Sequence, residues 1–260
     1  MSDNKVNLAK KQFVSLKKKA AEKVALTGLN GQRAQVVGVL DISGSMSGLY
    51  RNGAVQAICE KGLALGIQFD DDGEIPVYPF GVNVHPARTL TEQDFYGFVD
   101  REITMKLEYG TNYAKPLELI IQDLFPGAKR TQTQQKKKGG LFGFGGGAKT
   151  VEGNFEQLAA TNNPVFVQFW TDGDCGDKAR AEEIIRAAAT LPMFIQFIGI
   201  GRDSFGFLKK LDDLANRFVD NAGFVQFPNI ESITDEDFLA GMLNEFPDWI
   251  KEARTKGLVI

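Results

Sequence analysis

Residues 37–46 read Val37-Gly38-Val39-Leu40-Asp41-Ile42-Ser43-Gly44-Ser45-Met46, an apolar run closed by a carboxylate and two hydroxyls at alternate positions. The run starts at Ala34, and its almost unbroken apolar character is that of a strand buried on both faces. Such strands belong to parallel sheets covered by helices, where ligands bind beyond the carboxyl ends of the strands. Asp41 then stands at a strand's carboxyl end, with Ser43 and Ser45 on the turn that follows. One carboxylate and two neutral hydroxyls make a hard-oxygen set that suits Mg²⁺. A polar strand-to-helix turn capped by serine and aspartate is written in the same letters, so these residues alone leave both readings open.

The rest of the chain repeats the alternation. Strand-like runs recur at Ile75 to Phe80, Pro164 to Thr171, Met193 to Ile200 and Phe218 to Phe227. Helical spacing occupies 53–69 and stretches near 92–102, 114–125, 178–190, 204–216 and 234–255. The pattern predicts a three-layer α/β/α, doubly wound fold with a mainly parallel central sheet. Residues 1–30 read as a basic N-terminal helix packed on or flanking the domain, and residues 31–256 as the domain itself.

The chain has 260 residues, 43% of them hydrophobic and 24% charged, with a formal net charge of −3. These values exclude a collagen-like or wholly disordered chain. The near-zero sum conceals two basic segments. Residues 1–20 carry six lysines and one aspartate, and residues 127–150 carry six basic residues and no acid, so −14 falls on the remainder. Residues 127–150 also hold seven glycines and read as a flexible, solvated insertion. Phe142 and Phe144 there lack the folded platform of a single-strand binder, which ranks nucleic acid behind an inert or protein-binding role. Two cysteines, Cys59 and Cys175, make no disulfide framework. The polar start lacks the apolar stretch of a signal peptide, and no run approaches the roughly 18 apolar residues of a membrane span. The expectation is a cytoplasmic protein with no membrane partner.

Two further segments give the Asp41 motif its context. Glu108-Tyr109-Gly110-Thr111-Asn112-Tyr113 stands directly before the helix starting near Ala114, and Thr171-Asp172-Gly173 follows the central strand at 165–170. Together with Asp41, Ser43 and Ser45 they resemble the metal-ion-dependent adhesion site (MIDAS) of the von Willebrand factor type A (vWA) family, over roughly residues 34–250. Phe80-Gly81, the Thr111 segment and Gly199-Ile200-Gly201 look like the intracellular branch that includes copines, and the basic N-terminal helix and Thr171-Asp172-Gly173-Asp174 look most like the TerF-type tellurium-resistance group.

The resemblance implies that Ser43 and Ser45 ligate a divalent ion directly and that Thr111 does so directly or through water. Asp41 and Asp172 would hold coordinated waters and the serine hydroxyls. The ion is Mg²⁺ or another divalent cation such as Mn²⁺ or Ca²⁺. It keeps one position for a carboxylate, Asp or Glu, of a partner protein, a non-enzymatic role in a tellurium-resistance or stress-response system. The alternative is a Mg²⁺-dependent phosphoester hydrolase of the Asp-x-Asp type, but Ser43 occupies the place of its general acid.

Other motifs carry less. Gly143 to Ala148 spells a dinucleotide fingerprint without the strand it needs, and no P-loop occurs. His85 reads as structural or surface, and Asp70 to Glu74 as a solvated turn. Asp174 and Asp177 add negative potential near Asp172. Cys175 beside them is an incidental thiol or, if exposed, a redox group.

Overall fold

A computed structural model of the chain describes residues 2–70, 72–135 and 149–260. Six strands form one sheet: β1 (Gln35–Asp41), β2 (Glu74–Phe80), β3 (Arg88–Thr91), β6 (Val165–Thr171), β7 (Met193–Ile200) and β8 (Ala222–Phe227). Their order is β3-β2-β1-β6-β7-β8. Only the edge strand β3 runs antiparallel to its neighbour. Successive strands move away from β1 on one side as β2 and β3, and on the other as β6, β7 and β8. The order therefore reverses at β1, and the loops leaving β1 and β6 part there and open a crevice at their carboxyl ends.

The period-2 alternation of side chains divides each strand between two cores. Val36 and Leu40 of β1 face one layer, built from α1 (Ser2–Leu26), α3 (Ala54–Gly66), α8 (Asp235–Met242) and α9 (Phe246–Thr255). Val37 and Val39 face the other, built from α5 (Ala114–Leu124), α6 (Lys178–Ala188) and α7 (Gly206–Asp212). A 3-10 turn, Gly44–Met46, and the short α2 (Ser47–Arg51) lead from β1 into α3. The predicted layers are those observed. Helix α1 buries Phe13, Leu16, Ala20 and Val24, a stripe at helical spacing, and Lys19 bonds Asp235 of α8 at 3.0 Å. Its Lys10, Lys11 and Lys18 stay exposed. Among the described residues no helix is long and apolar enough to cross a membrane.

Several boundaries differ from the sequence expectation. Helix α4 (Phe98–Glu102) is one short turn of the stretch near 92–102, because Gly97 adopts a left-handed φ of 70° immediately before it. The stretch 234–255 is two helices. Pro247 stands in the first turn of α9, where a residue without N–H costs nothing, and could not sit inside a continuous helix. The expected loop at 127–150 is β-structure at 130–135 and 149–150. Strands β4 (Arg130–Gln135) and β5 (Lys149–Phe155) pair antiparallel. The threonines alternating at 131 and 133 favour an extended backbone, and Arg130 joins Glu152 and Glu183, each at 3.0 Å. Phe142, Phe144 and the glycine fingerprint lie outside the described residues.

One acid pair at the β8 edge gives a pH signature. Glu245 precedes α9 and lies over Gly223, where a Cβ would come within 2.8 Å of its carboxyl oxygen. Burial, then the charge and hydrogen bond of Asp212 and the charge of Asp220, push Glu245 up to about 8. The Phe224 N–H acts in the opposite direction. Arg217, whose side chain is nearly fully buried, contacts Asp220 and the Asp212 carbonyl but leaves Glu245 raised. An unfolded glutamate loses its proton near 4.5, so the folded state binds more protons from there up to about 8, and stability falls with rising pH across that window. Glu245→Gln is expected to raise the melting temperature at pH 8, with little change at pH 4.5. Thermal unfolding of both proteins across this range checks it.

Candidate metal centre

Asp41 is the last residue of β1 and Thr171 the last residue of β6, the neighbouring strand at the point where the order reverses. Asp41 is 1% exposed. One carboxylate oxygen accepts the Ser43 N–H at 2.6 Å and the other accepts the Thr171 hydroxyl at 2.6 Å. Burial pushes its pKa up to about 6 against these bonds, and the Asp172 charge adds to the rise. The site thus holds a desolvated carboxylate whose charge a nearby cation would favour.

The hydroxyls form a chain in front of it. Ser45 donates to Asp172 at 2.8 Å, and the Ser43 and Ser45 oxygens are 2.9 Å apart. The Ser45 proton goes to Asp172, and the Ser43 hydroxyl is within reach of both the Ser45 oxygen and the Asp41 carboxylate. Asp172 is itself raised by burial and by the Asp203 charge. Ser43, Ser45 and Asp172 are thus brought together by direct bonds, with Asp41 behind Ser43.

Thr111 reaches this region through its backbone. Glu108 runs alongside the serine turn, its N–H donating to Ile42 O and its carbonyl accepting from the Gly44 N–H, each at 2.9 Å. The Glu108 carboxylate turns away, taking the Asn83 N–H at 2.9 Å and His85 Nε2 at 2.8 Å. Burial raises that carboxyl, but these donors outweigh it and hold it below the usual range. A Cβ on Gly81 would meet the Glu108 Cβ at 2.7 Å, so this approach requires glycine. Further along, the Thr111 carbonyl accepts the Gly176 N–H at 2.8 Å, which ties Thr111, half-buried, to the loop carrying Asp172.

Thr171 and Tyr113 also bond into this region, a part that local sequence spacing does not indicate. Thr171 has the parity of Phe169 on its own strand, which is readable in the sequence; its bond to Asp41 depends on the register of β1 against β6, which is not. Tyr113 is fully buried, and its hydroxyl contacts Gly173 O and the Thr171 hydroxyl. Its ring lies 4.9 Å from that of Phe169, which also packs on Phe80 and Phe197.

The picture of Asp174 and Asp177 as a shared negative rim changes. Asp174 pairs with Lys178 at 2.5 Å, and both Asp177 oxygens accept backbone N–H groups. Cys175 is buried, and burial, then the Asp177 charge, push its thiol up to about 12, which removes the thiolate that redox chemistry needs. His85 serves Glu108.

The donor set is all oxygen. Among the described residues no three His, Cys, Asp or Glu side chains gather to hold an ion, so any ion here depends on hydroxyls as much as on carboxylates. Neutral hydroxyls with two carboxylates suit a hard divalent cation and exclude a thiolate or imidazole site.

Comparison with known proteins agrees with the fold. A protein of Bacillus subtilis (strain 168), the uncharacterised YcbR, is 34% identical over 258 residues, 98% of this chain and 90% of that protein. Proximal thread matrix protein 1 from the mussel byssus superposes with a TM-score of 0.51 at 16% identity in its form with a zinc-occupied MIDAS motif, over 81% of this chain and 47% of that one. A second structure of it gives 0.50, over 80% and 45%. The chain spans less than half the length of that mussel protein, and at such identity the likeness is one of fold. Residues 33–259 match the vWA-TerF-like family, the vWA domain found in the TerF C terminus, and the chain belongs to that family.

Proposed function

We infer that this protein is a metal-ion-dependent docking module in which Asp41, Ser43, Ser45, Thr111 and Asp172 hold a divalent cation that takes a carboxylate from a partner protein. The observation that carries this is the bonded series Ser43–Ser45–Asp172 beside the buried Asp41, an oxygen-only set that reaches the surface at the exposed Ser45. Ser43 and Ser45 would meet the ion directly. Thr111 would do so directly or through water, and Asp41 and Asp172 would act through water and through the serine hydroxyls. A bound Mg²⁺ with neutral ligands keeps much of its charge, and so supplies attraction for one acidic side chain presented in its octahedral geometry.

The chain's own groups orient and do not transform. Asp41 fixes the serine turn through the Ser43 N–H, Thr171 fixes Asp41, and Glu108 braces the turn from the other side. Ser43 stands where a phosphoester hydrolase would need a general acid, and His85 is engaged by Glu108. The family supports a setting in bacterial tellurium resistance or stress response, and two free, buried cysteines suit a reducing cytoplasm.

The test is capture of binding proteins on the immobilised full chain with millimolar Mg²⁺, followed by elution with EDTA. A defined protein released by EDTA, and absent from a Ser43→Ala column, is the expected result. Capture indifferent to both changes would overturn the reading, as would phosphatase activity that disappears with Ser43→Ala.

A further inference from the structure

The geometry points to Asp177 as a positioning residue for the cation site: from the turn between β6 and α6 its carboxylate fixes the start of α5, and so sets where Thr111 stands relative to Asp172. The inference rests on the metal-dependent reading above and adds to it a residue that touches no ion.

Helix α5 has no local cap. Its N-cap residue is Tyr113, which offers no side-chain bond to the first turn because its ring is buried against the sheet and its hydroxyl is directed at Gly173 and Thr171. A serine, threonine, asparagine or aspartate ordinarily fills that position and satisfies one or two of the free N–H groups. Here Asp177 does so from 64 residues further along the chain. One of its oxygens accepts the Tyr113 N–H and the other the Ala114 N–H, each at 2.9 Å. An anion at a helix N-terminus is favoured by the helix dipole as well as by the bonds themselves.

Asp177 is also anchored at its own end. Its carbonyl accepts the Arg180 and Ala181 N–H groups at 2.8 and 3.0 Å, so it stands at the head of α6. Its neighbour Gly176 donates to Thr111 O at 2.8 Å. Three bonds therefore join residues 176–177 to residues 111–114, and the same turn carries Asp172. Thr111 itself takes the Gly176 bond and stands two residues before the Asp177 cap, which leaves its backbone little freedom to move away from the Asp172 loop. Groups that orient metal ligands typically change metal affinity by about 10- to 100-fold when removed.

The experiment is calorimetric titration of the full folded chain with Mg²⁺ alone, well below the melting temperature, for the wild type, Asp177→Ala, Asp177→Asn, Thr111→Ala and the double variant Asp177→Ala with Thr111→Ala. Asp177→Ala is expected to weaken binding about tenfold or more. Asp177→Asn keeps one acceptor oxygen and is expected to fall between, and it carries the comparison if the alanine variant does not fold. Because Asp177 acts through Thr111, the double variant should bind no more weakly than Thr111→Ala. A cap that served helix stability alone would lower the melting temperature without this non-additivity. Wild-type affinity in both Asp177 variants, or fully additive losses, would overturn the inference and leave the metal reading standing. A wild type that binds no Mg²⁺ would remove both.

Discussion

Mg²⁺ is expected to raise the melting temperature of the wild type and to leave that of Asp41→Asn unchanged, while the metal-free variant melts no lower than the metal-free wild type. Asparagine keeps the size of the side chain and an oxygen for the Ser43 N–H, and the Thr171 hydroxyl can turn to accept from its amide. What is removed is the charge. In the wild type that charge is desolvated, 1% exposed, and close enough to Asp172 to be raised further by it, so its loss relieves a cost. A cation that binds only the folded state stabilises by RT ln(1 + [L]/Kd), about 2.7 kcal/mol at a hundredfold excess over Kd. Thermal melts of both proteins from zero to millimolar Mg²⁺ separate the two effects. A variant that responds to Mg²⁺ as the wild type does would remove Asp41 from the site.

Phe169→Ala is expected to cost about 3–5 kcal/mol, a large part of the total stability of an ordinary domain. The ring is fully buried and meets Phe80, Tyr113 and Phe197, each with centroids 4.9 Å away. Close-packed aromatic neighbours relax only in part, so much of the space it leaves stays unfilled. The damage would also reach the crevice, because the Tyr113 ring that Phe169 supports carries the hydroxyl contacting Gly173 and Thr171. Urea unfolding measures the loss in stability. Mg²⁺ titration of the folded variant should show weakened binding as well, whereas Ala in place of the equally buried Phe194, in the opposite core, should lower stability and leave Mg²⁺ binding nearly unchanged.

The parts of the fold readable in the sequence are those fixed by short-range pattern. β1 and β6 are buried on both faces, and their apolar runs reveal them. Ser43 and Ser45 follow Asp41 closely enough for their common direction to be inferred. Pro247 marked the division of the last helical stretch, and the strong helical spacing on either side masked it. What could not be read is pairing between distant segments. The cap of α5 by Asp177, the brace of Glu108 on the serine turn and the bond from Thr171 to Asp41 each join residues that local spacing does not relate. The β4–β5 ribbon was concealed for another reason: its strands flank a glycine- and lysine-rich stretch whose composition dominates any window that includes them.

The bonds from Ser45 to Asp172 and from Thr171 to Asp41 close loops of 127 and 130 residues. Contacts so far apart along the chain carry a large closure entropy and depend on β1 and β6 already lying side by side. The crevice therefore does not exist in any fragment that ends before β6, nor in a partly folded chain whose central pair of strands has not met. Cation uptake would then serve as a count of completed molecules, and during refolding its appearance should lag behind the helical signal.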